Sequence, residues 1–279
     1  MSNQIYPCLW FDGKAREAAE LYCSLFKNSR LRDCSQMVCT FELEGQLFMA
    51  LDGGPQFKPN PTISFFTCLN DSSELEQIWT KLLDGGTVLM PLQKYDWSEQ
   101  YGWLQDRYGV NWQLNLADAN STGQRITPLL MYCGENQGKA EAAIAFYTSV
   151  FPNSETEFVA RYEPGQLSLD AKIVHSRFSL NNTPLMAMDS AVPQPFTFSE
   201  GVSLVISCET QQEIDYYWDK LTANGEESVC GWCRDQFGVW WQVVPAIIGR
   251  LMTDPEKAPR VMQAFMKMKK FEIQTLLEA

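Results

Sequence analysis

Gly102-Trp103-Leu104-Gln105-Asp106-Arg107-Tyr108-Gly109-Val110-Asn111-Trp112-Gln113 returns later in the chain as Gly231-Trp232-Cys233-Arg234-Asp235-Gln236-Phe237-Gly238-Val239-Trp240-Trp241-Gln242. The two stretches align at a constant offset without a gap, and Gly, Trp, Asp, Gly, Val, Trp and Gln recur at matching places. Asp-x-x-Gly is turn chemistry, because Asp bonds nearby backbone and Gly accepts positive φ. The flanking residues alternate apolar and polar, as half-buried strands do. Each copy therefore reads as a β-hairpin, and the chain as a duplication.

Working outward, each hairpin closes a longer repeat. Ile5 to Phe11 reads as a strand, and Ala15, Ala18, Ala19, Tyr22, Leu25 and Phe26 follow at helical spacing. Ile126 to Tyr132 and then Ala140, Ala143, Ile144, Tyr147, Val150 and Phe151 repeat the pattern. Strands are predicted over 36–43 and 46–51, with counterparts over 171–180 and 184–188. A second strand, Ile63 to Cys68, precedes a helix from Ser73 to Leu83 whose buried face is Leu75, Ile78, Trp79 and Leu82. Its partner buries Ile214, Tyr217, Trp218 and Leu221. Ser73-x-x-Glu76 and Thr210-x-x-Glu213 have the capping-box spacing. Each half thus reads strand, helix, three strands, twice over. The polar run from Ala117 to Arg125 is the expected linker, giving units 1–120 and 121–279. Only the second half is extended, over about 250–279. Asp254 with Pro255 starts a helix there, with Ala258, Val261, Met262, Phe265 and Met268 as its apolar stripe. It is expected to pack on its own body or on a partner subunit of a homodimer.

Composition narrows the function. The chain of 279 residues has 22 Lys and Arg against 34 Asp and Glu, a net charge of −12. That balance opposes a phosphate-backbone footprint, so nucleic acid is not an expected partner. No apolar run is long enough to span a bilayer, and the first residues lack signal-peptide chemistry. Nine cysteines, an odd number, are expected as free thiols in a cytoplasmic protein.

The sequence resembles the vicinal oxygen chelate superfamily of glyoxalases, bleomycin-resistance proteins and extradiol dioxygenases, and within it the PhnB-like branch often labelled 3-demethylubiquinone 3-methyltransferase-like. Pro7-Cys8-Leu9-Trp10-Phe11-Asp12-Gly13, Glu17-Ala18-Ala19-Glu20-Leu21-Tyr22, Ser24-Leu25-Phe26, the run from Ile214 to Leu221, Cys230-Gly231-Trp232, Trp241-Gln242-Val243-Val244-Pro245 and Met266 to Lys270 carry the likeness. It implies an α+β fold, a tandem duplication of glyoxalase/bleomycin-resistance-like domains. Each is built of paired βαβββ modules forming a curved sheet around a cleft. Metalloenzymes of that superfamily place His or Glu on first, fifth and last strands. Here those strands offer Ile5 to Cys8 or Ile126 to Leu129, then Thr62 to Phe65 or Gly201 to Leu204, then Gln113 or Gln242. No metal or other cofactor is expected from that set.

Strand alternation puts Val110, Trp112, Leu114 and Leu116 on one face and Asn111, Gln113 and Asn115 on the other. In the second copy Val239, Trp241 and Val243 oppose Trp240, Gln242 and Val244. If the Trp112 and Trp241 faces pack on helices, the glutamine faces line clefts, one polar and one more aromatic. The candidate ligand-binding residues are Asn111, Gln113, Asn115, Ser64, Trp240, Gln242 and Ser203, with a structural amide as the competing role for each glutamine. Cys230 and Cys233 would diverge across a strand, which opposes a redox pair. His175, the sole histidine, is expected as a partly exposed strand residue. No glycine pair at Gly-x-Gly spacing exists to support methyl transfer with a dinucleotide-type fold. The expected function is binding of a small organic molecule; the alternative is an enzyme of lyase, isomerase or dioxygenase type acting on a small oxygenated substrate.

Overall fold

A computed structural model describes residues 4–118, 124–163, 165–167 and 169–279. Four βαβββ modules follow one another. The first is β1 (Ile5–Phe11), α1 (Ala15–Leu25), β2 (Ser29–Cys34), β3 (Val38–Leu43) and β4 (Gln46–Asp52). The second is β5 (Ile63–Leu69), α2 (Ser72–Leu83), β6 (Thr87–Tyr95), β7 (Ser98–Gln105) and β8 (Asn111–Leu116). The third is β9 (Ile126–Tyr132), α3 (Ala140–Val150), β10 (Glu155–Arg161), β11 (Ile173–Leu180) and β12 (Thr183–Asp189). The fourth is β13 (Val202–Cys208), α4 (Gln211–Thr222), β14 (Glu226–Glu227), β15 (Trp232–Arg234) and β16 (Trp240–Pro245). Three short helices end the chain, α5 (Ile248–Thr253), α6 (Ala258–Phe265) and α7 (Ile273–Glu278). Most of the expected linker lies outside the described residues.

The helical faces read from spacing are the ones buried in α1, α2, α3 and α4. The capping box of α4 forms as expected, with Thr210 accepting from Glu213 N and Glu213 accepting from Thr210 N. The α2 cap differs. Asp71 accepts from Glu74 N at 2.7 Å, because its carboxylate sits three residues before that amide and outcompetes the Ser73 hydroxyl.

Within every module the first strand pairs in parallel with the last, as Cys8 with Met49 and Ser64 with Asn111. The first strands then pair antiparallel between halves: β1 with β13, and β5 with β9. Two eight-stranded sheets result, ordered β14-β15-β16-β13-β1-β4-β3-β2 and β10-β11-β12-β9-β5-β8-β7-β6. Neither cleft therefore belongs to one half of the sequence, contrary to the expectation of one polar and one aromatic half. Modules of the same half meet instead through their helix-covered faces, which turns their free strand edges toward the other half. Edge pairing satisfies the backbone groups those edges would leave open.

The contact that holds same-half modules together is a buried carboxylate. Asp106 accepts from Tyr22 OH at 2.7 Å, Trp112 Nε1 at 3.0 Å, Tyr108 N at 2.9 Å and Val110 N at 3.0 Å. Asp235 repeats this with Tyr147 OH at 2.7 Å, Trp241 Nε1 at 2.8 Å, Phe237 N at 2.8 Å and Val239 N at 3.1 Å. Each aspartate thus fixes its own turn, the following strand and the helix of the preceding module. Gly109 and Gly238 complete those turns at φ +89° and +88°. Around the anchors Trp112 lies 5.1 Å from Tyr22 and 5.3 Å from Phe65, and Trp241 lies 5.5 Å from Tyr147 and 5.4 Å from Phe151. One continuous core holds the helices and the helix-side residues of both sheets.

The C-terminal extension packs on its own chain. Cys230 N and Gly231 N donate to Met268 O and Lys269 O, Lys270 pairs with Asp215 at 2.7 Å, and a Cβ on Gly231 would strike the Phe271 ring. Asp254 caps the turn before α6 through Glu256 N, so α6 begins at Ala258, later than the expected start at Pro255. Val261 is its buried residue, whereas Met262 is exposed. Cys230 and Cys233 are both free, Cys233 in the core and Cys230 beside Met266. Cys34 and Cys39, however, form a disulfide, a correction to the expectation of free thiols throughout. They face each other across the β2–β3 pair, which brings their Cα atoms to 4.0 Å.

Asp106→Asn replaces one acceptor oxygen by an amide that meets donors already pointing at it. Leaving such a donor unmatched costs about 1–3 kcal/mol. Urea unfolding should show a lower midpoint for Asp106→Asn and for Asp235→Asn. Unchanged midpoints would mean that burial cost and bond strength cancel at these anchors.

Candidate ligand-binding cups

The face of each sheet away from the helices gathers the candidate site residues. On the first sheet it carries Tyr6, Cys8 and Trp10 of β1, Met49 of β4, Ser203 of β13, Trp232 of β15 and Trp240 and Gln242 of β16, because their neighbours Leu9, Phe11, Leu204, Trp241 and Val243 occupy the core. On the second it carries Ser64 and Phe66, Tyr101 and Trp103, Asn111 and Gln113, Leu129 and Met131, and Met186 and Met188. Side chains three strands apart meet on both faces. Trp10 and Trp232 have ring centroids 5.9 Å apart, and Phe66 and His175 5.6 Å apart. Strands three places apart in a flat sheet are separated by about 14 Å, so each face converges as a cup.

The seven candidate residues therefore divide. Asn111, Gln113, Asn115 and Ser64 lie in the second cup, and Trp240, Gln242 and Ser203 in the first. In the second cup Gln113 donates to Ser64 Oγ at 2.8 Å and accepts from Tyr101 OH at 2.7 Å. Asn111 donates to Gly109 O, and Asn115 accepts from Ser98 Oγ. Tyr101, Trp103, Leu129, Met131, Cys133 and Met186 fill the space above them as a separate apolar cluster. Trp103 Nε1 and Asn111 Oδ1 are enclosed without a hydrogen-bond partner.

The first cup keeps one of these interactions and loses another. Gln242 donates to Ser203 Oγ at 3.0 Å. The position matching Tyr101 is Cys230, on the turn held by the C-terminal tail, so no tyrosine covers Gln242. Cys8 lies beside Ser203; burial pushes its thiol up to about 12, and hydrogen bonds with Gln242 and Ser203 pull it partly back. Burial, followed by the charge of Cys8, raises the neighbouring Tyr6 hydroxyl above its ordinary range. Trp10 packs edge-on to Phe57 at 5.0 Å, and Trp232 and Trp240 lie 6.4 Å apart. Trp10 Nε1 donates to Gly54 O, and its ring lies where a Cβ on Gly53 would stand, within 2.1 Å. The floor residues Cys8, Ser203 and Gln242 are buried, while Tyr6, Trp10, Trp232 and Trp240 are half-buried walls.

Sequence reasoning found the glutamines by alternation, but missed Tyr6, Cys8, Trp10 and Trp232 as their companions. Their period-two pattern on β1 was visible; the pairing that brings them to Gln242 was not. Two surface hollows, of about 630 and 440 Å³, lie outside both cups, beside α2 and at the β2–β3 loop.

With that geometry in view, the family model described as 3-demethylubiquinone-9 3-methyltransferase matches twice, over residues 3–115 and 124–244. The chain belongs to this family. A PhnB protein from Bacillus cereus, described as a putative 3-demethylubiquinone-9 3-methyltransferase, is 37% identical over 39% of this chain and 96% of its own, with TM-score 0.39. Protein PA1353 from Pseudomonas aeruginosa is 27% identical over 40% of this chain and 96% of its own, with TM-score 0.35. Glyoxalase I from Zea mays is 11% identical but covers 91% of this chain and 97% of its own, with TM-score 0.57. That likeness and the doubled family match show the tandem vicinal oxygen chelate fold. No curated protein matches.

The superfamily's divalent metals do not suit the donors of this family member. In the first cup they are a thiol held protonated, a hydroxyl and an amide; in the second, an amide and a hydroxyl already bonded to each other. Among the described residues no three His, Cys, Asp or Glu side chains converge.

His175 is a half-buried strand residue, as expected, and it leans across the second cup onto Phe66. Burial, and then the charge of Arg177, lowers its pKa to about 4. Between pH 6.5 and 4 the unfolded chain takes up a proton on this imidazole that the folded chain refuses, so stability falls toward acid. His175→Gln should remove about 2–3 kcal/mol of that acid-side loss, seen as a smaller drop in urea midpoint from pH 7 to pH 4.5. Identical pH slopes for the two proteins would show that the imidazole protonates freely in the fold.

Proposed function

We propose that the protein binds a small organic molecule in the first cup, with Gln242, Ser203 and Trp240 as direct contacts. One observation supports this most: Gln113 is held at both ends by Ser64 and Tyr101, whereas Gln242 has no tyrosine over it. The same amide is thus a structural brace in the second cup and a ligand-facing group in the first. Ligand sites of this kind combine apolar and aromatic walls with a few placed polar groups. The half-buried tryptophans above a buried polar floor fit that description. On this reading Asn111, Gln113, Asn115 and Ser64 maintain the second cup.

The methyl transfer in the family's description is not part of the proposal. Methyl transfer to a substrate hydroxyl needs a side chain able to take its proton and a place for the methyl donor. The floor of the first cup supplies a thiol lifted to about 12 and a tyrosine hydroxyl lifted above its ordinary range.

A fragment library of mixed chemistry, screened by saturation-transfer NMR, tests the assignment. Hits should weaken by roughly tenfold or more, about 1.4 kcal/mol, in Gln242→Ala and stay unchanged in Gln113→Ala. Hits that respond to Gln113→Ala alone would move the site to the second cup.

A further inference from the structure

We propose that the ligand of the first cup is planar, aromatic and uncharged at its buried end, entering with a carbonyl or amide edge toward Gln242, Ser203 and Tyr6. This rests on the reading of that cup as the ligand site.

Charge decides the first part. The inner-face residues of β1, β4, β13 and β16, among them Tyr6, Cys8, Met49, Ser203, Trp240 and Gln242, include none that is acidic or basic. Cys8 stays a thiol and Tyr6 a phenol at neutral pH. A carboxylate, phosphate or ammonium pushed onto this floor would lose water and meet no counter-charge, at a cost of several kcal/mol. On the flanking strand β15, Arg234 is already matched by Glu226 at 2.6 Å and Glu135 at 3.9 Å, and on β3 and β2 Glu42 is paired with Arg30 and Arg32. Arg234 also lowers the Glu200 carboxyl, against a larger lift from burial.

Ring geometry decides the second part. Trp10 meets Phe57 at 83° and Trp232 at 72°, and Trp232 meets Trp240 at 62°. These rings stand edge-to-face rather than stacked, so a flat guest has ring faces to stack on and ring edges to abut. The second cup shows that this lining is particular to the first. At the matching positions Trp10 is replaced by Met131, Trp240 by Asn111 and Cys8 by Leu129, while the Trp232 counterpart Trp103 is buried in its apolar cluster. Gly53 leaves room for the Trp10 ring, which fixes that wall.

Polar placement decides the third part. Gln242 donates to Ser203 and bonds Cys8, so its carbonyl oxygen is the acceptor on the floor, and the Tyr6 hydroxyl, on the same strand face as Cys8, is a donor. An amide or carbonyl on the ring edge satisfies both kinds of group, whereas a hydrocarbon leaves them unmatched.

Isothermal titration calorimetry with 1-naphthamide, 1-naphthoate, 1-naphthylmethylammonium and cyclohexanecarboxamide separates the outcomes. The naphthamide should bind roughly tenfold or more tighter than each of the others. Trp240→Ala and Gln242→Ala should each weaken it by a similar factor, and Trp240→Phe should restore most of the affinity lost in Trp240→Ala. Equal or tighter binding of the anion, the cation or the saturated amide, still dependent on Gln242, overturns the ligand class and leaves the cup as the site. Naphthamide binding indifferent to both Gln242 and Trp240, or no saturable binding by any probe, overturns the class and the site together.

Discussion

A single carboxylate in each repeated turn ties the architecture together. Asp106 and Asp235 each take two backbone amides of their own turn, one indole N–H and one tyrosine hydroxyl from the helix of the preceding module. Burial raises both carboxyls, and the hydrogen bonds from tyrosine, tryptophan and backbone oppose that shift. An acceptor so enclosed is tolerable only with its full set of donors, so turn, strand and helix are positioned jointly. Same-half modules are thereby clamped through their helix-side faces. Their first strands are left to find partners in the other half, and the two cups follow from that.

Much of this was legible locally. The duplication and the buried faces of four helices come from period-two and period-3.6 patterns, and the structure agrees with them, whereas the exposed, charged strands β2 and β10 carry no apolar alternation and lie outside the predicted segments. Trp112 and Trp241 face the core as the alternation implied. Errors arose where neighbours compete or where distant strands meet. Asp71 displaced Ser73 as a cap because a carboxylate was available two residues earlier. Cys34 and Cys39 were read as free thiols because nothing in the sequence fixes the β2–β3 register that opposes them. The composition of each cup was illegible for the same reason. Pairing of β1 with β13 spans most of the chain, and no local pattern distinguishes it from pairing within a half.

Glutamine makes the same point for function. Gln113 and Gln242 occupy the same place in the repeat, each following a core tryptophan and donating to a serine on the adjacent strand. What separates them lies on the partnering strand of the hairpin, twelve residues earlier in the chain, where Tyr101 bonds one amide and Cys230 leaves the other. The side chains around a polar group, rather than the group itself, decide which of its atoms are already bonded within the fold.

The distribution of conserved and divergent positions between the two copies follows from where each side chain points. The anchor and turn positions repeat unchanged: Asp106 and Asp235, Gly109 and Gly238, Val110 and Val239, Trp112 and Trp241. A change there would break a four-bond anchor or leave a void, and both sheets depend on the result. On the cup faces the Gln113/Gln242, Ser64/Ser203 and Trp103/Trp232 pairs are kept, but others diverge: Tyr101 against Cys230, Asn111 against Trp240, Leu129 against Cys8, Met131 against Trp10. Those side chains share no core contact, so their chemistry is free to change while the sheet keeps its register. The second cup became an apolar cluster closed by its own residues, and the first an aromatic-walled recess over an uncharged floor. Duplication on a rigid anchor thus allows the two cups to differ in lining while both sheets keep the same register.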